Sequence, residues 1–174
     1  MSNILPYRKV LPIIGERVFL AQSAVLIGDV SVGSDSSFWF QVVARGDVNS
    51  ITIGDGTNIQ DGSTLHVTTG KHPLVIGSGV TLGHGVIAHG CRVEDHCLLG
   101  IGSRILDGAV IETGSIVGAG SIVTQGSRIP SGHLALGIPA KPVRPLKEDE
   151  KELIARTADN YVKLKDIYLD SEMV

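Results

Sequence analysis

Three histidines carry most of the chemistry this sequence can offer. His66, His84 and His89 lie in one stretch of the chain. Neutral imidazoles ligate divalent ions. Three of them leave a fourth position open, the arrangement of a catalytic zinc site, where bound water ionises at a pH of about 7. Three imidazoles also accept cobalt or iron(II), so the ligand set does not choose the metal. Single histidines on a solvated surface are common, and His72, His96 and His133 read that way: a loop, an outward position and a structural position near the end of a repeat. Three histidines beside a break in that repeat call for another explanation.

The repeat is what positions them. Leu99, Ile105, Ile111, Val117 and Val123 fall six apart, as do Leu20, Leu26, Val32 and Phe38. Ile53, Ile59 and Leu65 open hexads of the same kind, and so do Ile76 and Leu82. An aliphatic residue opens each hexad, glycine often stands at its fourth position, and a small residue follows. The aliphatic residue points inward, the glycine suits a corner with positive φ, and the small residue fits beside that corner. A period of six is the signature of a parallel β-helix. Three hexads make a coil of about 18 residues, and coils stack at about 4.8 Å. Leu20 to His133 therefore supplies roughly six coils. A β-sandwich would place its turns about 8–12 residues apart instead.

The repeat is interrupted where the histidines lie. Register is lost across Ala44–Asn49. Residues Thr68–Pro73 do not fit and leave the coil as a short loop. After Leu82 the next aliphatic register residue is Ile87, five residues on. His84 and His89 thus sit on consecutive hexads, on adjacent faces of a triangular coil. One chain does not bring both to one ion; two chains meeting at a corner do. His66 is open to two placements. If residues 70–75 count as a hexad it stacks beneath His84, and if they are extruded it stacks beneath His89.

The rest of the chain reads as one domain over residues 1–174. Residues 1–19 cap the open end, 20–134 form the β-helix, 135–146 leave it, and 147–170 form an α-helix. Pro139, Pro142 and Pro145 cannot continue a central strand. Leu153, Ile154, Ala158, Tyr161, Val162, Leu164 and Tyr168 make an apolar helical stripe, behind the acidic start Glu148-Asp149-Glu150. Net charge is −3, with no basic tract, which speaks against nucleic acid. No stretch approaches the roughly 20 apolar residues that span a bilayer, and Met1–Val10 does not read as a secretion signal. Cys91 and Cys97 read as buried small residues. The expectation is a reduced, cytoplasmic protein.

Several motifs occur together in order: the hexads, Ala44-Arg45-Gly46-Asp47, Asn58-Ile59-Gln60-Asp61-Gly62, then His66, His84 and His89, then Gly137-Ile138-Pro139-Ala140-Lys141 and the terminal helix. Over nearly the whole chain this set resembles the gamma-class carbonic anhydrase family. Acyltransferases share the hexads and the exit motif; the Arg-Gly-Asp, Gln-Asp-Gly and histidine set is more specific. The resemblance implies a mainly β protein, a single-stranded left-handed parallel β-helix with a C-terminal α-helix. It implies a homotrimer with three metal sites, each between two subunits. His66 and His89 would come from one subunit and His84 from its neighbour, holding Zn2+, with Co2+ or Fe2+ as alternatives. The activity implied is reversible hydration of CO2 to bicarbonate by a metal-bound hydroxide. Gln60 would hydrogen-bond near the metal-bound water. Arg45 and Asp47 would form a salt bridge across subunits, with Asp47 near the site and Asn58 and Asp61 behind it. Tyr161 would reach the site from the helix, though it also lies on the apolar stripe.

Two departures bear on activity. The best-known members follow Arg-Gly-Asp with glutamate, where this chain has Val48. They also carry a long acidic loop after the first histidine, with a proton-carrying glutamate; the loop here holds no carboxylate, and His72 is its titratable side chain. Two other function classes fit the same coil: an acyltransferase or CoA-thioester hydrolase, and a metal-binding protein without turnover.

Overall fold

The structure, a computed structural model, describes residues 3–171. The outermost positions of the expected cap and of the expected domain, residues 1–2 and 172–174, lie outside the described residues. The hexads wind into a three-faced parallel β-helix. The first face stacks Phe19–Leu20, Ser37–Phe38, Asn58–Ile59, Thr81–Leu82, Leu98–Leu99, Ile116–Val117 and His133–Gly137, all in parallel register. That is seven layers among the described residues, one more than the repeat count suggests, because Phe19–Leu20 and His133–Gly137 both complete a layer. The second face stacks Val43–Ala44, Thr64–His66, Ile87–His89, Arg104–Ile105 and Ile122–Val123. The third stacks Ile51–Ile53, Leu74–Ile76, Arg92–Val93, Val110–Ile111 and Arg128–Ile129.

The physical basis is the one the hexads suggest. Leu65, Leu82, Leu99, Ile105 and Ile111 are completely buried, each on its equivalent in the next coil. Full burial of such a side chain is worth about 1.5–3 kcal/mol. The small residue beside each corner often carries a hydroxyl that satisfies the backbone there: Thr57 Oγ1 donates to the carbonyl of Gly77 at 2.7 Å, and Ser36 Oγ to that of Gly54 at 2.8 Å. Cys91 and Cys97 are buried, and burial pushes their thiols up to about 12 and about 11.

One register assignment is corrected. Ala88, not Ile87, faces the core: it pairs with Leu65 and Ile105 and is fully buried, while Ile87 points outward. The step from Leu82 is therefore a full hexad, and the five-residue step runs from Ala88 to Val93, the partner of Ile76 and Ile111. This places every irregularity at one corner. Between the first and second faces, and between the third and first, core residues keep steps of six. Between the second and third faces the steps are nine (Ala44 to Ile53), eleven (Leu65 to Ile76) and five (Ala88 to Val93) in successive coils.

The ends differ in detail from a plain cap and exit. Ile4–Leu5 and Ile13–Ile14 pair in parallel with Val25–Val32, so the start of the chain adds partial strands beneath the stack. The segment after Leu134 is itself a strand pair: Ala140–Pro145 runs antiparallel to His133–Gly137. Its prolines are tolerated because this is an edge strand.

The helix, α1, spans Glu148–Asp170. It lies on the first face through an aromatic cluster. Trp39 packs against Phe19, Tyr161 and Tyr168 with ring centroids 5.1, 5.3 and 5.1 Å apart. Its far end is pinned by Lys165, fully buried, whose Nζ lies 2.9 Å from Asp35 and 2.5 Å from Asp166. Among the described residues no helix is long and apolar enough to cross a membrane.

The start of α1 makes a pH prediction. Glu150 accepts two hydrogen bonds from Arg144, at 2.7 and 2.8 Å, and one from the backbone N–H of Lys147 at 2.8 Å. These, Arg144 first, push its carboxyl down to about 2. A carboxyl depressed by folding adds stability above its unfolded pKa, and that stability is lost as pH falls towards the folded value. The wild type should therefore unfold at higher temperature than Glu150→Gln at pH 5, and the gap should close between about pH 4.3 and pH 2. Paired melting curves check this; a gap that stays constant would refute it.

Candidate metal centre

His66 and His89 converge at the irregular corner. His89 pairs in register directly with His66, so the Thr68–Pro73 segment is extruded. His66 Nδ1 lies 3.0 Å from His89 Nε2. The other nitrogen of each ring meets a carboxylate: His66 Nε2 is 3.1 Å from Asp47 Oδ1, and His89 Nδ1 is 2.5 Å from Asp107 Oδ1. Ionised carboxylates only accept hydrogen bonds, so they draw the N–H of each neutral ring to their side. The two facing nitrogens then both carry lone pairs. Lone pairs 3.0 Å apart repel, and a cation between them removes the repulsion. Two nitrogens of a tetrahedral zinc site, each about 2.0–2.1 Å from the ion, lie about 3.3 Å apart. The pair needs to open by only a few tenths of an ångström to take one.

Both carboxylates are held ionised. Burial works to raise Asp47, but hydrogen bonds from Arg45 and His66 outweigh it and bring the carboxyl below its usual range. Burial likewise works to raise Asp107, and hydrogen bonds from Thr68 and His89 outweigh it. The partner of Arg45 within this chain is Asp47 itself.

His84 stands elsewhere. It occupies the turn at the corner between the first and second faces, where Val86 N–H donates to the Gly83 carbonyl, while His89 stands at the far end of the strand Ile87–His89 that follows. His84 Nδ1 lies 2.9 Å from Asp61 Oδ2, which leaves the second nitrogen for another partner. Among the described residues no group of three or more ligating side chains of one chain is placed to hold an ion. The remaining residues divide the same way. Gln60 adjoins Asp61; it is buried, and its Nε2 donates to Asn58 Oδ1 at 3.1 Å, while Asn58 Nδ2 donates to Thr81 Oγ1 at 2.8 Å. Tyr161 packs edge-on to Trp39, and its phenol is raised by burial first and by the charge of Asp61 second, which puts it on the same side. One corner thus holds His66, His89, Arg45, Asp47 and Asp107; the other holds His84, Asp61, Gln60, Asn58 and Tyr161.

Asp107 did not emerge from the sequence. A weak signal was available: it follows His89 by 18 residues, one more than the 17-residue coil that pairs Ala88 with Ile105, so it stands over Gly90 and its carboxylate reaches back to His89. His72 is placed differently from expectation. It is part-buried, with its ring over Gly108 and the Gly90 corner beneath it, so it is no solvated loop tip. His96 stands under α1, where it lines a groove with Ala155, and His133 Nδ1 bonds the carbonyl of Ser131.

Known proteins bear the resemblance out. Residues 90–125 match the bacterial transferase hexapeptide family, six repeats. Protein YrdA of Escherichia coli is 50% identical, covering 98% of this chain and 96% of its own. Carbonic anhydrase of Geobacillus kaustophilus is 48% identical over 95% of this chain and 90% of its own. The mitochondrial gamma carbonic anhydrase 1 of Arabidopsis thaliana is 47% identical over 88% of this chain, which spans 58% of that longer protein. This chain belongs to the gamma-class carbonic anhydrase family. A crystal structure of a Bacillus cereus protein named, provisionally, as an acetyltransferase superposes with a TM-score of 0.93 at 44% identity, covering 96% of this chain and 98% of that one. Family membership therefore extends over the β-helix, both corners and the helix, while the names of these similar proteins span two chemistries.

Proposed function

We propose that the protein is a gamma-class carbonic anhydrase-like metalloenzyme that hydrates CO2 reversibly, working as a homotrimer with one site at each subunit boundary. The observation that carries this reading is the division of the site. His66 and His89 present facing nitrogens at one corner, and His84 lies beyond their reach at the next. Each of the three histidines keeps one nitrogen on a carboxylate, the arrangement that orients imidazole ligands around a metal. The His84 corner also has the surface of a contact: Phe40 and Ile101, stacked below and above the His84–Asp61 pair, are 40% and 59% exposed. A contact between unlike corners is head-to-tail, and three such contacts close a ring.

The bound ion, zinc or in its place cobalt or iron(II), supplies the acidity that makes water a nucleophile near neutral pH. The chain's own residues do the rest. His66 and His89 hold the ion from one subunit and His84 from the next. One N–H of the Gln60 amide is engaged by Asn58, and its carbonyl oxygen would accept a hydrogen bond from the water and orient it. Asp47 fixes His66, and Arg45 keeps Asp47 ionised. Tyr161, on the helix and within reach of the charge of Asp61, would approach the site from that side.

What the chain lacks is a carboxylate at the two positions where the best-known members of the family carry one. Val48, 39% exposed, follows Asp47, and the Thr68–His72 hairpin contains no acid. Turnover of the zinc- or cobalt-loaded protein should therefore rise about two- to tenfold with added imidazole buffer, which carries the proton directly. Metal analysis of anaerobically purified protein, followed by CO2 hydration at graded imidazole concentrations, tests the proposal. Metal-loaded protein inert towards CO2 at every buffer concentration would overturn it. A buffer-independent rate would assign the proton to a residue already present, with His72 the first to examine.

The Bacillus cereus structure's name keeps one other reading in play, acyl transfer from a CoA thioester. That chemistry needs a base histidine and a CoA cleft but no metal. Acyl transfer that persists after chelation of all metal would favour it.

A further inference from the structure

The Thr68–Pro73 excursion is short and holds no carboxylate, yet it is built with care. Backbone hydrogen bonds between Thr68 and His72, at 3.1 and 3.4 Å, close it into a hairpin. Asn49 Nδ2 donates to the Thr68 carbonyl at 3.1 Å and ties its base to the coil below. The Thr68 hydroxyl donates to Asp107 Oδ2 at 2.7 Å, while Asp107 Oδ1 takes His89 at 2.5 Å. Both carboxylate oxygens are thus used.

The five-residue step makes room for this. One residue is missing from the corner after His89, and Gly90 stands there at φ +53°. A Cβ at Gly90 would come within 2.4 Å of Asp107 Oδ1 and 2.8 Å of the His72 Cβ. The hairpin and the carboxylate fill the space that an ordinary corner would occupy. The shortened corner and the extruded loop are therefore one device.

We infer that Thr68 and Asp107 are a positioning pair for His89, and that the hairpin serves to hold Thr68 against Asp107. The torsion that orients an aspartate's carboxylate is soft, with a broad range of angles available. A carboxylate bonded through one oxygen swings about that torsion; bonded through both, it holds one plane. A fixed Asp107 keeps the His89 proton on Nδ1 and turns Nε2 towards His66. A merely structural hairpin would close the loop without affecting the ring. The inference rests on the metal reading for its consequence, but the state of the ring is observable without any metal.

The test uses Thr68→Val, which keeps the shape and removes the hydroxyl, Thr68→Ser, which keeps the hydroxyl, and Asp107→Asn. Two quantities are read: the His89 tautomer in metal-free, 15N-labelled protein by imidazole NMR, and Co2+ affinity by titration. The wild type and Thr68→Ser should show His89 protonated at Nδ1. Thr68→Val and Asp107→Asn should show a mixture of tautomers. Loss of an outer-shell partner typically weakens metal binding about 10- to 100-fold. Asp107→Asn should fall in that range, Thr68→Val at or just below its lower end, and Thr68→Ser within about twofold of wild type. A Thr68→Val protein with wild-type tautomer and wild-type Co2+ affinity would overturn the inference, and this variant, changed at a surface hairpin, leaves the core intact. If the wild type itself bound no Co2+, the metal reading would fail, and the tautomer comparison would still decide whether Thr68 and Asp107 position the ring.

Discussion

His84→Ala should lose metal and CO2 hydration together, although His84 shares no contact with His66 or His89 within the chain. The expected loss of Co2+ affinity exceeds about 100-fold, the upper end of what an outer-shell change costs. His66 and His89 alone offer two ligands, and the third must come from a residue with a free nitrogen and an exposed position. The His84 side chain is 49% exposed, with only Nδ1 engaged, by Asp61. A site built wholly from one chain would have to draw its third ligand from the His66–His89 corner, and removing His84 would leave its affinity unchanged. Because His84 lies at a half-exposed corner rather than in the core, the melting temperature of the folded chain should stay near wild type. Equilibrium dialysis against Co2+, beside a stopped-flow hydration assay, reads both losses. Retained metal in His84→Ala would contradict the shared site; lost metal with retained hydration would contradict the metal itself.

Much of this was legible in the sequence, and the reasons are physical. A β-helix repeats the same environment every six residues, so its inward positions stand out even at low aromatic content. The break in the repeat was legible too, but its place was misread by one residue. Ile87 is the more apolar side chain, and Ala88 the smaller; the core takes alanine where Leu65 and Ile105 already fill the coils below and above. Correcting that one position gathers all three irregular steps at a single corner, the corner of His66 and His89. A repeat is regular where only stacking constrains it, and departs from regularity where a site imposes other demands.

The contacts that join coils were harder to read. Asp47 meets His66 and Asp107 meets His89 because of the stack, not because they are near in sequence. No single spacing finds both: the coil is 17 residues where Asp107 lies 18 beyond His89, and 21 residues where Asp47 lies 19 before His66. The use of Thr68 depends on how the hairpin closes, which the hexad pattern does not encode. The strand pair at the exit was hidden for a related reason. Prolines argue against a central strand, and Pro142 and Pro145 obey that rule by lying in a strand at the edge.

The shared site also makes a prediction that no single-chain site can meet. His84→Ala chains keep His66 and His89; His89→Ala chains keep His84. Neither variant alone should form a complete site. Co-expressed in equal amounts, they should assort at random around each ring. A boundary is complete only when a His89→Ala chain supplies His84 to a His84→Ala neighbour, which occurs at about one boundary in four for random cyclic assembly. The direct measurement is the metal content of the purified mixture. With shared sites the mixture should hold about a quarter of the wild-type metal per chain, with hydration restored in proportion, against essentially none for either variant alone. A mixture as empty as its parents, or a His84→Ala protein that fills without its neighbour, would contradict it.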